Sequence, residues 1–170
     1  VRLCHYVSPH HLSPKPIDIE PTLFGNELAL VSAQGTVYHP SPTTTSLLLQ
    51  LDWYTQQKPS ADYKVVLQLL APDGTILDEA NDFPIGSLLP PTTWGMDERK
   101  PGYVTVRIPT QLAAGRYPLV ISLYDVNSLA PTPHILLNTS DAANTPTTEP
   151  FTLVEVQIDD TIELQSPDGQ

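Results

Sequence analysis

Trp94, Asp97, Glu98 and Arg99 lie close together in the stretch NDFPIGSLLPPTTWGMDERKPG, from Asn81 to Gly102. An indole beside carboxylates and a guanidinium suits a sugar, whose ring has an apolar face for stacking and a rim of hydroxyls for hydrogen bonding. These four residues are therefore the candidate ligand-binding set. A competing reading gives Trp94 a different task, and it is the stronger of the two. A long irregular connection needs an apolar anchor to stay ordered, and Trp94 would then pin the loop to the sheet edge.

Other reactive side chains make weaker patterns. Cys4-His5 and His10-His11 combine thiolate and imidazole, both zinc ligands, but lack the paired two-residue gaps of structural zinc sites and fall in a Pro-rich terminal stretch. The remaining histidines, His39 and His134, are isolated in the sequence. Asp73, Asp78, Asp82 and Asp97 offer oxygen ligands for Ca²⁺ without the spacing of a calcium loop. No metal or cofactor is expected. Acidic pairs at Asp78-Glu79, Asp97-Glu98 and Asp159-Asp160 could serve a glycosidase only if two carboxylates faced each other, and adjacent strand residues point to opposite faces. No nucleophile elbow, phosphate-cradling glycine run or H-E-x-x-H occurs, so no catalytic residue is assigned. Asn138-Thr139-Ser140 matches a glycosylation sequon.

The elements that must position the candidate set are strands. From Ser46 the sequence SLLLQLDWYT puts Leu47, Leu49, Leu51 and Trp53 on one face and Leu48, Gln50, Asp52 and Tyr54 on the other. Tyr63, Val65, Leu67 and Leu69 repeat the period, as do Tyr117, Leu119, Ile121 and Leu123. Trp53 continues a leucine face and belongs to the core. Glu27 to Val37 reads as a strand with Leu28, Leu30 and Ser32 on one side and a bulge or turn at Gln34-Gly35, before a polar connector HPSPTTT. The segments around Trp53, Tyr63 and Thr75 to Asp78 read as three neighbouring antiparallel strands, with a tight turn at Ala71 to Gly74. Tyr103 to Ile108 resumes the alternation, and Val154, Val156 and Ile158 form a closing strand. Gly115 two residues before Tyr117 resembles the tyrosine corner of immunoglobulin-like domains, in which the hydroxyl bonds back to nearby backbone.

The expected fold is an all-β antiparallel sandwich of seven to nine strands, immunoglobulin-like or jelly-roll-like, with long Pro-rich loops. Residues 1–22 read as an extended lead-in with a short strand at Ile17 to Glu20, 23–165 as one domain, and 166–170 as a frayed tail. The chain has 170 residues, enough to bury a sizeable core without disulfides, and one cysteine forms no intrachain bridge. A net charge of −11 repels phosphate backbones and anionic headgroups, which sets nucleic acid aside as a partner. No run of about eighteen apolar residues is present, so no membrane insertion of this chain is expected. The chain opens Val-Arg-Leu and its only methionine is Met96, so a preceding segment is expected.

Three runs carry a family resemblance: LDWYTQQKPSADYKVVLQLLAPDGTIL, PIGSLLPPTTW and LAAGRYPLVISLYD. Within them Trp53, Tyr63 to Val65, Pro72 to Gly74, Pro91 to Trp94, Gly115 to Tyr117 and Leu123 to Asp125 stand in the family's order. Over about Leu23 to Ile158 the chain resembles the soluble C-terminal β-sandwich domain of bacterial family 39 (dolichyl-phosphate-mannose mannosyltransferase-like) membrane glycosyltransferases. Met96 to Lys100 departs from the pattern, where a shorter Gly-Glu turn is usual. The resemblance implies a non-catalytic, extracytoplasmic domain that contacts glycan, acceptor or the membrane portion of the same protein, and it transfers no active-site residue. Two other functions are compatible with the residues: a free-standing carbohydrate-binding module, suggested by Trp94 in an acidic loop, and a structural or adhesive domain of the cell envelope.

Overall fold

The computed structural model describes residues 12–137 and 145–167. Cys4, His5, His10, His11 and the sequon at Asn138 lie outside the described residues, as do the last three residues of the tail. Eleven strands form among those described: β1 (Lys15–Ile17), β2 (Thr22–Phe24), β3 (Leu28–Ser41), β4 (Thr44–Thr55), β5 (Tyr63–Leu70), β6 (Ile76–Asp82), β7 (Arg99–Ile108), β8 (Gly115–Asp125), β9 (His134–Leu136), β10 (Phe151–Ile158) and β11 (Ile162–Gln165). The regular non-strand element among them is a single 3₁₀ turn, Pro91–Thr93. No helix among the described residues is long and apolar enough to cross a membrane.

The strands make two antiparallel sheets. One has the order β7-β4-β3-β2-β9, with β1 also paired to β3, and the other the order β11-β10-β8-β5-β6. Alternation explains the layering. Leu47, Leu49, Leu51 and Trp53 of β4 turn inward, as do Val65, Leu67 and Leu69 of β5 and Leu119, Ile121 and Leu123 of β8, and all are buried. Burying each such side chain stabilises the fold by about 1.5–3 kcal/mol. The sandwich expectation holds, and the four strands of only three or four residues (β1, β2, β9 and β11) account for the excess over seven to nine.

Several local expectations need correction. The strands around Trp53 and Tyr63 are not neighbours: β4 lies in the first sheet and β5 in the second, so the QQKPSA segment crosses between layers. β3 does not stop at a Gln34-Gly35 turn but runs to Ser41, leaving Pro42 and Thr43 as the hairpin turn. Its register shifts between Leu30 and Ser32. An extra residue there reverses the facing, so Ser32 turns outward and donates to Asp52 Oδ2 at 2.7 Å while Ala33 takes the buried place. β1 begins two residues earlier than the expected Ile17 to Glu20 strand, and β10 is followed by β11 and does not close the chain. β6 extends to Asp82, beyond the expected Asp78.

The Glu27 carboxylate ties the layers at one end. Glu27 Oε2 accepts the Tyr63 hydroxyl at 2.7 Å and the Ser60 N–H at 3.0 Å, joining the β2–β3 turn to the start of β5. Tyr117 donates its hydroxyl to the Ala113 carbonyl at 2.9 Å, the expected corner contact.

Candidate functional site

The connection from Phe83 to Glu98 is built around Trp94. Its indole N–H donates to the Leu89 carbonyl at 2.9 Å, and the residue is 2% exposed. Stacking on a sugar needs an open ring face, so the indole anchors the loop and offers no platform. Thr92 adds a second attachment, donating from its backbone N–H (3.1 Å) and hydroxyl (2.6 Å) to Asp62 Oδ1. At the loop's other end the backbone of Pro84 lies directly against Gly102.

Asp97, Glu98 and Arg99 gather at the end of β4. Asp97 sits at φ 60°, its N–H donates to the Thr55 carbonyl at 2.8 Å, and its carboxylate accepts the Tyr54 hydroxyl at 2.6 Å. That hydrogen bond to the carboxylate holds the Tyr54 phenol above its ordinary pKa. Glu98 pairs with Lys100 Nζ at 2.8 Å, and the hydrogen bond from Lys100, followed by one from the Gly95 backbone, holds its carboxyl below the usual range. Arg99 opens β7 directly opposite Tyr54.

Asp97 and Arg99 thus meet the outer face of the six-stranded sheet, and the pairing registers define that face. Four cross-strand rows run over β3, β4 and β7: Tyr38, Ser46 and Arg107; Thr36, Leu48 and Thr105; Gln34, Gln50 and Tyr103; Ser32, Asp52 and Pro101. Past the bulge, Tyr54 and Arg99 complete it. Opposite side chains in such rows stand about 5 Å apart at Cβ. Tyr103 is 58% exposed beside Gln50. Asp52 is held in place by Ser32 at 2.7 Å and by Gln50 Nε2 at 3.1 Å. An open aromatic ring, flanked by an amide and an oriented carboxylate, can stack on an apolar ring face and hydrogen-bond hydroxyls around it.

Sequence reasoning placed Gln50, Asp52 and Tyr54 on the mixed face of their strand without assigning them a task. Tyr103 was read only as the start of an alternating strand. The missing signal was the pairing of β4 with β7, which joins segments some fifty residues apart.

No protein family and no curated protein matches the chain. Among solved structures it is similar to the C-terminal domain of Wzt, with 12% identity and a TM-score of 0.46 over 90% of this chain and 96% of that one. It is also similar to a β-glucuronidase from glycoside hydrolase family 2, with 10% identity and a TM-score of 0.45 over 61% of this chain. The match spans only 10% of the glucuronidase's length. Neither of these two is a family 39 glycosyltransferase.

Proposed function

We propose that this chain is a non-catalytic β-sandwich that contacts carbohydrate through the outer face of the six-stranded sheet. The observation that carries the reading is Tyr103, 58% exposed in register with Gln50 and next to the row that holds Asp52. The Ser32 and Gln50 hydrogen bonds orient the Asp52 carboxylate before any ligand arrives, which lowers the entropic cost of binding. A non-catalytic role is supported by the engagement of the nearby carboxylates. Asp52 accepts from Ser32 and Gln50, and Asp97 from Tyr54, so both carboxylates already serve as acceptors within the sheet.

The resemblance to family 39 glycosyltransferases supports the finer context: an extracytoplasmic appendage of a membrane enzyme, working beside the membrane portion of the same protein. In that setting a glycan-contacting face would hold acceptor or product near the reaction. The coding sequence upstream of Val1 checks this context, with several apolar spans of about twenty residues expected. A lone signal peptide there would make the chain a free-standing binding module instead.

The test of the face is a titration with an oligosaccharide panel followed by backbone NMR. Binding should move resonances of β4 and β7 around Gln50 and Tyr103, and Tyr103→Ala should weaken it about tenfold, the loss of roughly 1.4 kcal/mol of stacking. The melting temperature of the variant should stay close to that of the parent, because the ring is exposed. A panel that moves no outer-face resonance would sink the proposal.

A further inference from the structure

Among the described residues of β3, β4 and β7, two cations point outward on the six-stranded sheet: Arg99 and Arg107. They stand at its two ends, about 27 Å apart along β7 at about 3.4 Å per residue. The outward residues of β3, β4 and β7 include one carboxylate, Asp52, already held by Ser32 and Gln50. Among the described residues the guanidinium of Arg107 has no ion-pair or hydrogen-bond partner, whereas Lys100 and Arg116 are paired with Glu98 and Glu155. The Asp78 carboxylate is engaged at the strand edge, where its Oδ2 accepts the Arg107 backbone N–H at 2.7 Å. That contact fixes the backbone from which the side chain projects.

Arg107 also borders an open cleft of about 560 Å³, lined by Thr43, Thr44, Thr110 and Gln111. The hydroxyls of this corner are ordered, with Ser41 donating to Thr44 Oγ1 at 2.8 Å and Thr45 within 3.2 Å of His39 Nδ1. A cationic fork beside several hydroxyls and an amide is complementary to a sugar that carries a carboxylate. The fork binds the two oxygens side by side, and the hydroxyls and the amide meet the ring substituents. The net charge of −11 does not forbid this, since exposed charges beyond about 8 Å are largely screened at physiological ionic strength.

We infer that the juxtaposition of Arg107 with the Thr43, Thr44, Thr110 and Gln111 cleft is a subsite for the carboxylate of a uronic acid unit, so that the glycan held on this face is acidic. The inference rests on the carbohydrate reading of the same face and adds the ligand's chemical class.

The experiment compares uronate oligosaccharides (oligogalacturonate, oligomannuronate and hyaluronan fragments) with their carboxyl-methyl esters, by calorimetry and by NMR of the intact chain. At least one acid form should bind about tenfold more tightly than its ester, a preference that shrinks as salt is raised. Arg107→Ala should abolish that preference and leave the ester's affinity unchanged, while Arg107→Lys should retain only part of it, because the ammonium keeps the charge but not the fork. Since the side chain is exposed and unpartnered, the variants should keep the parent's melting temperature. Equal binding of acid and ester, or a preference that survives in Arg107→Ala, overturns the inference. So does tighter binding of a sulfated or phosphorylated glycan than of every uronate. Binding that Tyr103→Ala weakens and Arg107→Ala leaves alone would retain the face as a carbohydrate surface while removing its acidic specificity. Silence of the whole outer face toward acids, esters and neutral sugars would overturn both readings.

Discussion

Gly102 shows how one residue type can decide a connection. It lies inward on β7 opposite Leu51, and a Cβ built there would collide with the Pro84 carbonyl oxygen. The atom in the way is backbone, so it cannot swing aside as a flexible side chain would. Gly102→Ala should therefore push the start of the 83–98 connection off the sheet, destabilising the fold by about 1–3 kcal/mol, as overpacking does. A denaturant midpoint unchanged from the parent's would contradict this contact. At the same scale, the Tyr117 corner and the buried Trp53 were legible beforehand, because each depends on neighbours in its own strand or turn. The task of Trp94 was not settled by its neighbours. Only the 2.9 Å bond to the Leu89 carbonyl and its burial show that the indole serves the loop.

Among the elements, β3 and the Phe83 to Glu98 connection departed most from what a one-dimensional pattern indicates. A period-two reading assumes an unbroken strand, and the bulge between Leu30 and Ser32 breaks it. The residues beyond it, which hold the Asp52 side of the candidate face, consequently change sides. The connection is irregular, as expected from its prolines and glycines, yet it is fastened to the sheets at Asp62, Thr55 and Gly102 and closed on itself at Leu89. Its order should thus depend on the buried indole. Trp94→Ala should cost about 3–5 kcal/mol and raise hydrogen exchange through 83–98 more than in β5 and β8. Uniform exchange throughout the domain would instead mean that Trp94 supports the whole sandwich and not this loop.

For the molecule as a whole, three buried or half-buried groups shape its stability against pH. Burial draws the Glu27 carboxyl upward, but hydrogen bonds from Ser60 and Tyr63 outweigh it, and the net shift is downward. The folded state thus favours the carboxylate, and this contribution is lost as pH falls below the ordinary value of 4.5. His134 packs against Phe24 and Phe151 with ring centroids 5.5 and 5.0 Å away, and burial depresses its pKa. Its unfolded form takes up a proton from about pH 6.5 downward while the folded form resists, so this loss begins earlier and has the same sign. Tyr63 runs the other way: burial first, then the bond to Glu27, pushes its phenol up to about 12, so stability falls as pH rises from the ordinary value of 10.0 toward 12. Melting temperature should therefore be highest between about pH 7 and 9. His134→Phe should flatten the descent that begins near pH 6.5 and leave the fall below pH 4.5 in place. An acid limb that starts only at pH 4.5 in the parent would show that the His134 ring is not held neutral.

The class of fold and the inward faces are legible residue by residue, because alternation of apolar side chains is a property of each strand and needs no partner. The corner at Tyr117 and the Pro- and Gly-rich irregularity of the 83–98 connection are legible in the same way, since they follow from local backbone preferences. Which strands share a sheet, where Ser32 and Trp94 point, and that Gln50 lies beside Tyr103, Tyr54 beside Arg99 and Ser46 beside Arg107 depend on the folded arrangement. Register and layer are set by contacts between residues far apart in the chain, and the outer face exists only once β3, β4 and β7 lie side by side.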